Sequence, residues 1–144
     1  DYRLAKASRH FWLYSEQLTK KVSPLRQRFG VYATVIQKSA LWCSGGWTWS
    51  RGLVTKLQTW ENNQVRRILG AGRKPEENFV QYTQRATRLA RNLFKSYGFK
   101  TLSTLVLEAI SSMATFALRP GRHGHCDTFL GSTLEWRDRL WWQA

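Results

Sequence analysis

Trp60-Glu61-Asn62-Asn63-Gln64-Val65-Arg66-Arg67-Ile68-Leu69-Gly70 reads as the second half of an amphipathic helix. Leu53, Leu57, Trp60 and Ile68 fall on one face at helical spacing, with Val65 at its edge. Ser50 is placed to cap the start of this helix, and Gly70 and Gly72 to end it. A helix this well marked at both ends fixes the class of its neighbours: they have to bury a stripe against it, so each should show the same period.

They do. Upstream, a second helix opens at Ser23-Pro24, where Ser suits the cap and Pro the first helical position, and closes at Gly45-Gly46. Its apolar face is Leu25, Phe29, Tyr32, Ile36 and Cys43. Before it, Leu4, Phe11 and Leu18 recur every seven residues with Trp12 and Tyr14 alongside, which predicts a first helix over residues 2–20. Downstream, a fourth helix is expected to open at Pro75, with Glu76 and Glu77 complementing the dipole of its first turn. Phe79, Tyr82, Ala86, Leu89, Leu93 and Tyr97 form its apolar face, and Gly98 closes it. Residues 101–118 carry Leu102, Leu105, Val106, Ile110, Met113 and Phe116 with one charge, Glu108, and should form the central, most buried helix. Pro120-Gly121-Arg122-His123-Gly124-His125-Cys126 is a Gly/Pro/His loop. Ser132-Thr133-Leu134-Glu135 has capping-box spacing and starts a short Trp-rich C-terminal helix. No strand alternation occurs. The expectation is all-α: a bundle of five or six helices, with residues 1–118 as one helical domain and 119–144 as a loop and C-terminal helix, or an extended tail.

Charge bounds the partner. The net charge is +14 and the isoelectric point about 10.6. Such a charge repels itself in the compact state and seeks a polyanion, with nucleic acid first and an anionic membrane surface second. Membrane insertion is disfavoured, because charges or hydroxyls interrupt every apolar run. Eight tryptophans are hard to bury in 144 residues, so some should lie at an interface. Cys43 and Cys126 show no metal spacing, and nothing in the pattern favours a disulfide. The chain begins at Asp1 with no signal-like segment, as expected of a processed product or a fragment. Its compartment stays open, with the nucleus or an organelle expected inside the cell.

Over residues 3–74 the sequence resembles the thumb and post-polymerase region of non-LTR retrotransposon reverse transcriptases. Ser23-Pro24-Leu25, Leu41-Trp42, Trp47-Thr48, Trp60-Glu61 and Arg66-Arg67-Ile68-Leu69-Gly70 carry the resemblance in order and spacing. Cys43 stands where that family usually has glycine, and Trp49 where it often has an aliphatic residue. The family polymerises with palm carboxylates that hold two metal ions. This chain has no Asp-Asp pair: its aspartates are Asp1, Asp127 and Asp138, in unrelated contexts. The family's Cys-Cys-His-Cys knuckle is missing too. The resemblance therefore implies a part that grips a primer–template duplex without chemistry, and RNA before DNA.

Four cations, Arg85, Arg88, Arg91 and Lys95, cluster opposite the apolar face of the fourth helix at ~100° per residue. They suit a run of phosphates, each contact releasing a counterion; the plainer alternative is an ordinary solvated face. Arg66 and Arg67 would be favourable at any helix C-terminus, and the resemblance makes them nucleic-acid contacts. Lys20, Lys21, Arg26 and Arg28 form a looser basic cluster. Trp47 and Trp49 could stack bases or wedge between helices, and with Trp136, Trp141 and Trp142 they are the interface candidates. His123, His125 and Cys126 lack the second ligand pair of a closed zinc site, so no metal and no cofactor is expected. The expected function is a non-catalytic module that binds RNA or an RNA-containing duplex by backbone and shape. The alternative is a retrotransposon-derived architectural subunit of a large assembly, either an organellar ribosome or a membrane-bound energy-converting complex.

Overall fold

A computed structural model describes residues 2–117. The Gly/Pro/His loop, the capping box at Ser132, the His123/His125/Cys126 group and Trp136, Trp141 and Trp142 lie outside the described residues. The elements are α1 (Tyr2–Leu13), α2 (Ser15–Thr19), α3 (Leu25–Val31), a π-helical segment (Tyr32–Gln37), α4 (Lys38–Ala40), a 3-10 turn (Ser44–Gly46), α5 (Arg51–Leu69), α6 (Phe79–Ser96) and α7 (Leu102–Ala117). The fold is an all-α bundle, with no strand among the described residues.

The expected first helix is kinked at Tyr14 (φ −98°, ψ 13°), which divides it into α1 and α2. The next helix starts one residue late: Pro24 takes the cap position itself (φ −54°, ψ 143°). That helix ends at Ala40 rather than at the glycines. The chain then turns through Cys43 in the left-handed region (φ 60°), leaving Cys43 exposed and off the apolar face. Gly45 has a different task. A Cβ there would meet the Ala109 carbonyl oxygen at 3.2 Å and Met113 Cβ at 3.3 Å, so its bare backbone lets α7 approach.

The core joins Phe11 of α1, Leu18 of α2, Phe29 of α3, Tyr32 and Ile36 of the π segment, Leu57, Val65 and Ile68 of α5, Ala90 and Phe94 of α6, and Leu102, Val106 and Ile110 of α7. Phe94 lies at its aromatic centre, edge-on to Phe29 (5.2 Å, 89°) and stacked on Phe99 (5.2 Å, 24°). The α5 assignment holds at both ends: the Ser50 hydroxyl accepts from Leu53 N at 3.2 Å, and Gly70 ends the helix at φ 58°. The Trp60 indole donates to Ser8 Oγ at 2.9 Å, fastening α5 to α1. Contrary to expectation, α7 is not the central helix. It buries one stripe and leaves Leu107 (39% exposed) and Met113 (52%) in contact with solvent. Phe29 of α3 and Tyr32 and Ile36 of the π segment, by contrast, are among the largest fully buried side chains.

One buried charge ties three elements together. The Glu61 carboxylate accepts from Gln37 Nε2 at 2.7 Å and, through both oxygens, from Leu102 N at 3.0 Å. Burial pushes its pKa up, against the pull of these donors and of Arg91. The Tyr32 hydroxyl is buried beside it without a hydrogen bond of good geometry, and burial reinforced by the Glu61 charge raises that phenol as well.

Glu61→Ala strands two buried donors and is expected to cost about 3–5 kcal/mol in chemical denaturation. Glu61→Gln keeps an acceptor and should cost less. Because the folded state holds the Glu61 proton more tightly than the unfolded chain, this group favours folding most below the ordinary carboxylate range. That advantage is lost as pH rises through its folded pKa, a slope that Glu61→Gln removes. A second check is backbone strain: Cys43→Gly should raise stability by about 0.5–1 kcal/mol, since glycine tolerates the left-handed region.

Candidate nucleic-acid interface

The basic residues of α6 are presented by a helix that starts later than its sequence suggested. Asn78 and Gln81 form a reciprocal capping box: Asn78 Oδ1 accepts from Gln81 N at 2.8 Å, and Gln81 Oε1 accepts from Asn78 N at 3.1 Å. Pro75, Glu76 and Glu77 therefore lie in the preceding loop, not in the first turn. The inward face is Ala86, Ala90 and Phe94, with Leu93 and Tyr97 packed against the core. Phe79 and Leu89, expected on that face, are exposed (68% and 42%).

The four-residue stripe divides. Arg85 pairs with the Glu77 carboxylate and donates through Nη2 to the Gly72 carbonyl at 2.9 Å, so it holds the loop over residues 71–78. The Glu77 carboxyl is drawn down to about 2, first by its hydrogen bond from Arg85. Tyr82 assists by donating its hydroxyl to the Ala71 carbonyl at 3.0 Å. Arg88, Arg91 and Lys95 are exposed and form no ion pair or hydrogen bond among the described residues. Arg88 shares an open groove with Gln84, Arg85 and Asn92. Arg91 and Lys95 turn instead toward α5, into a cavity also lined by Glu61 and Lys100.

A second basic surface forms where α2 and α5 end side by side. Arg28 shows why these ends meet: its Nη1 donates to the carbonyls of both Leu18 and Ile68. Arg28 is only 6% exposed, and burial lowers its pKa. Its place among the surface contacts is thereby corrected, because the guanidinium serves two helix ends inside the protein. Around it, Lys21 reaches toward Gly70, and Lys20 is paired with Glu16 at 3.0 Å. Arg66 donates to Asn63 Oδ1 at 3.2 Å, and Arg67 lies over the Trp12 ring at 5.3 Å. Trp12 is 59% exposed. Arg26 is exposed near the start of α3. Trp47 and Trp49 pack partly buried against the core.

Sequence reading missed Lys100, Glu61 and Trp12 as site residues. Lys100 sits between helices, where periodicity carries no signal, and Glu61 looks like one more solvated acid on a polar helix. Only the exposed Trp12 beside a basic helix end offered a hint. Among the described residues no group of three or more His, Cys, Asp or Glu side chains could hold a metal ion, and no helix is long and apolar enough to cross a membrane. Comparison with protein-family models, with curated proteins and with solved structures returns no match.

The division of arginines into internal and external ones is measurable. Arg28→Met should cost about 2–4 kcal/mol in urea denaturation, because the Leu18 and Ile68 carbonyls lose a buried donor. Lys21→Gln and Arg66→Gln should each cost under about 0.5 kcal/mol. Equal losses at all three positions would contradict the division.

Proposed function

We propose that the chain is a non-catalytic module that binds RNA or an RNA-containing duplex through its backbone phosphates. The observation that carries this is the separation of charge on α6: the nearby acid, Glu77, is occupied by Arg85, while Arg88 and Lys95 stay exposed and form no ion pair among the described residues, and Arg91, also exposed, has only the buried Glu61 near it. Cations held on a rigid helix and left unpaired are suited to replace the counterions of a polyanion. The surface at the ends of α2 and α5 adds Lys21, Arg66 and Arg67, with Trp12 as an aromatic face among them. Such contacts position a nucleic acid by its backbone and carry no base information.

A second reading, an architectural subunit of a large assembly, draws on the exposed apolar residues Leu107 and Met113 of α7 and Phe79 and Val80 at the start of α6. Apolar surface of this kind suits a protein neighbour. A ribonucleoprotein, such as an organellar ribosome, would use both surfaces.

Titration of a structured RNA at several salt concentrations should give a fall in affinity of roughly 0.7–0.9 log units per phosphate contact for each tenfold rise in salt. Lys21→Gln, Arg66→Gln and Arg88→Gln together should weaken binding by about tenfold, nearly equally for unrelated sequences, and leave the fold intact. An affinity independent of salt would sink the RNA reading. Loss of co-purifying subunits on Met113→Lys, with the triple variant still assembling, would establish the architectural reading in its place.

A further inference from the structure

Between α5, α6 and the chain entering α7 lies a cavity of about 380 Å³, within the size range of small-ligand sites. Its lining is graded from mouth to floor. Arg91, Lys95 and Lys100 stand at the mouth, where their side chains are exposed. Lys100 is also paired with Glu108 at 2.7 Å. The floor is apolar, made of buried Val65 and Phe94 with half-buried Phe99, and half-buried Asn62 also lines the cavity.

Glu61 decides how a ligand would lie. Its carboxylate is buried at this floor and is already engaged by Leu102 N and Gln37 Nε2. A negative charge at the floor repels the anionic end of any ligand, while three cations at the mouth attract it. An inorganic anion would leave the apolar floor and the Asn62 amide unused. A plain hydrocarbon would leave the cations unused.

We propose that this cavity receives one unstacked nucleotide, with its phosphate at Arg91, Lys95 and Lys100 and its base against Phe99 and Val65, the polar edge toward Asn62. The nucleotide comes either from an unpaired position in a strand or as a free mononucleotide. The strand case rests on the RNA-binding reading above; the cavity chemistry is the same in both. Recognition of an extruded base by an apolar wall and a few polar groups is a general solution for unpaired nucleic acid.

The test uses the full chain, labelled for amide NMR, titrated with the four nucleoside 5′-monophosphates and separately with inorganic phosphate. Its RNA arm compares a fully paired hairpin with the same hairpin carrying one bulged nucleotide. Mononucleotides are expected to shift the Asn62, Phe99 and Ser103 amides well beyond what phosphate does. Asn62→Leu should weaken mononucleotide binding by about fivefold, the loss of a hydrogen bond, and leave the paired hairpin within about twofold. Because Ser103 also lines the cavity, Ser103→Phe should block it by filling, which keeps the proposal testable if Asn62→Leu fails to fold. A preference for the bulged hairpin that both variants abolish assigns the nucleotide to a strand; mononucleotide binding without that preference assigns it to the free pool. Equal shifts from phosphate and nucleotides overturn the proposal. So does paired-hairpin binding with no mononucleotide response, an outcome that leaves the surface reading standing. Mononucleotide binding with no hairpin binding sustains the cavity and sinks the RNA module.

Discussion

The Glu61 carboxylate is the joint on which the arrangement of helices depends. Gln37 of the π segment, Glu61 of α5 and Leu102 at the start of α7 meet at one buried charge, and Gln37 Nε2 also donates to the Lys100 carbonyl at 3.0 Å. Burying a carboxylate is unfavourable by itself, as its raised pKa records. Specific donors offset that penalty, and they come from three separate parts of the chain. The carboxylate also sits at the N-terminal end of α7, where the helix dipole favours negative charge. Apolar packing alone would let α7 slide along α5. A bond to one backbone N–H fixes the register, and with it the position of Lys100 and the hydroxyls that follow.

The large positive charge is not spread uniformly in role. Arg28 and Arg85 are internal devices: one joins the carbonyl ends of two helices, the other pins the loop over residues 71–78. Arg28 satisfies carbonyls at helix ends that have no partner within the helix, and Arg85 satisfies the loop carbonyl of Gly72. What remains outward includes cations, Arg88 and Lys95 among them, that form no ion pair among the described residues. A basic protein whose arginines all served as struts would have no use for a polyanion; here the struts and the free cations are distinct residues.

How far the fold could be read from the sequence follows from where each signal was local. Ser50, Gly70 and the Leu57, Val65 and Ile68 face of α5 are short-range patterns, and the structure repeats them. At Pro75-Glu76-Glu77 two start signals competed. Acids after proline resemble a first turn, but Asn78 and Gln81 cap reciprocally and Glu77 finds Arg85 instead. The apolar character of α7 suggested a central place, yet burial depends on how many sides have neighbours, which composition does not report. Arg28 was misplaced and Glu61 passed over for one shared reason: a charge in sequence reads as solvated, and only tertiary structure shows which charges find buried partners. The exposed cations Lys21, Arg67, Arg88, Arg91 and Lys95, and the half-buried Arg66, were legible. That they divide between two surfaces and a cavity was not, because Arg91 and Lys95 differ from Arg88 by their neighbours on α5 and not by helical position alone.

The neighbouring C-terminal ends of α2 and α5 show how the scaffold and the surface are coupled. A helix C-terminus carries partial negative charge and would draw Lys21, Arg66 and Arg67 inward to cover its carbonyls. Arg28 already does this from inside, reaching Ile68 O and Leu18 O together. Its Nε is buried without a partner, so the arrangement carries a local cost. In return the outer cations are relieved of capping. Arg67 can lie across Trp12 and Lys21 can stand over Gly70, both accessible to a ligand. The basic surface at this end is therefore a consequence of a buried arginine, and a change that removes the interior cation should pull the exterior ones toward the helix end.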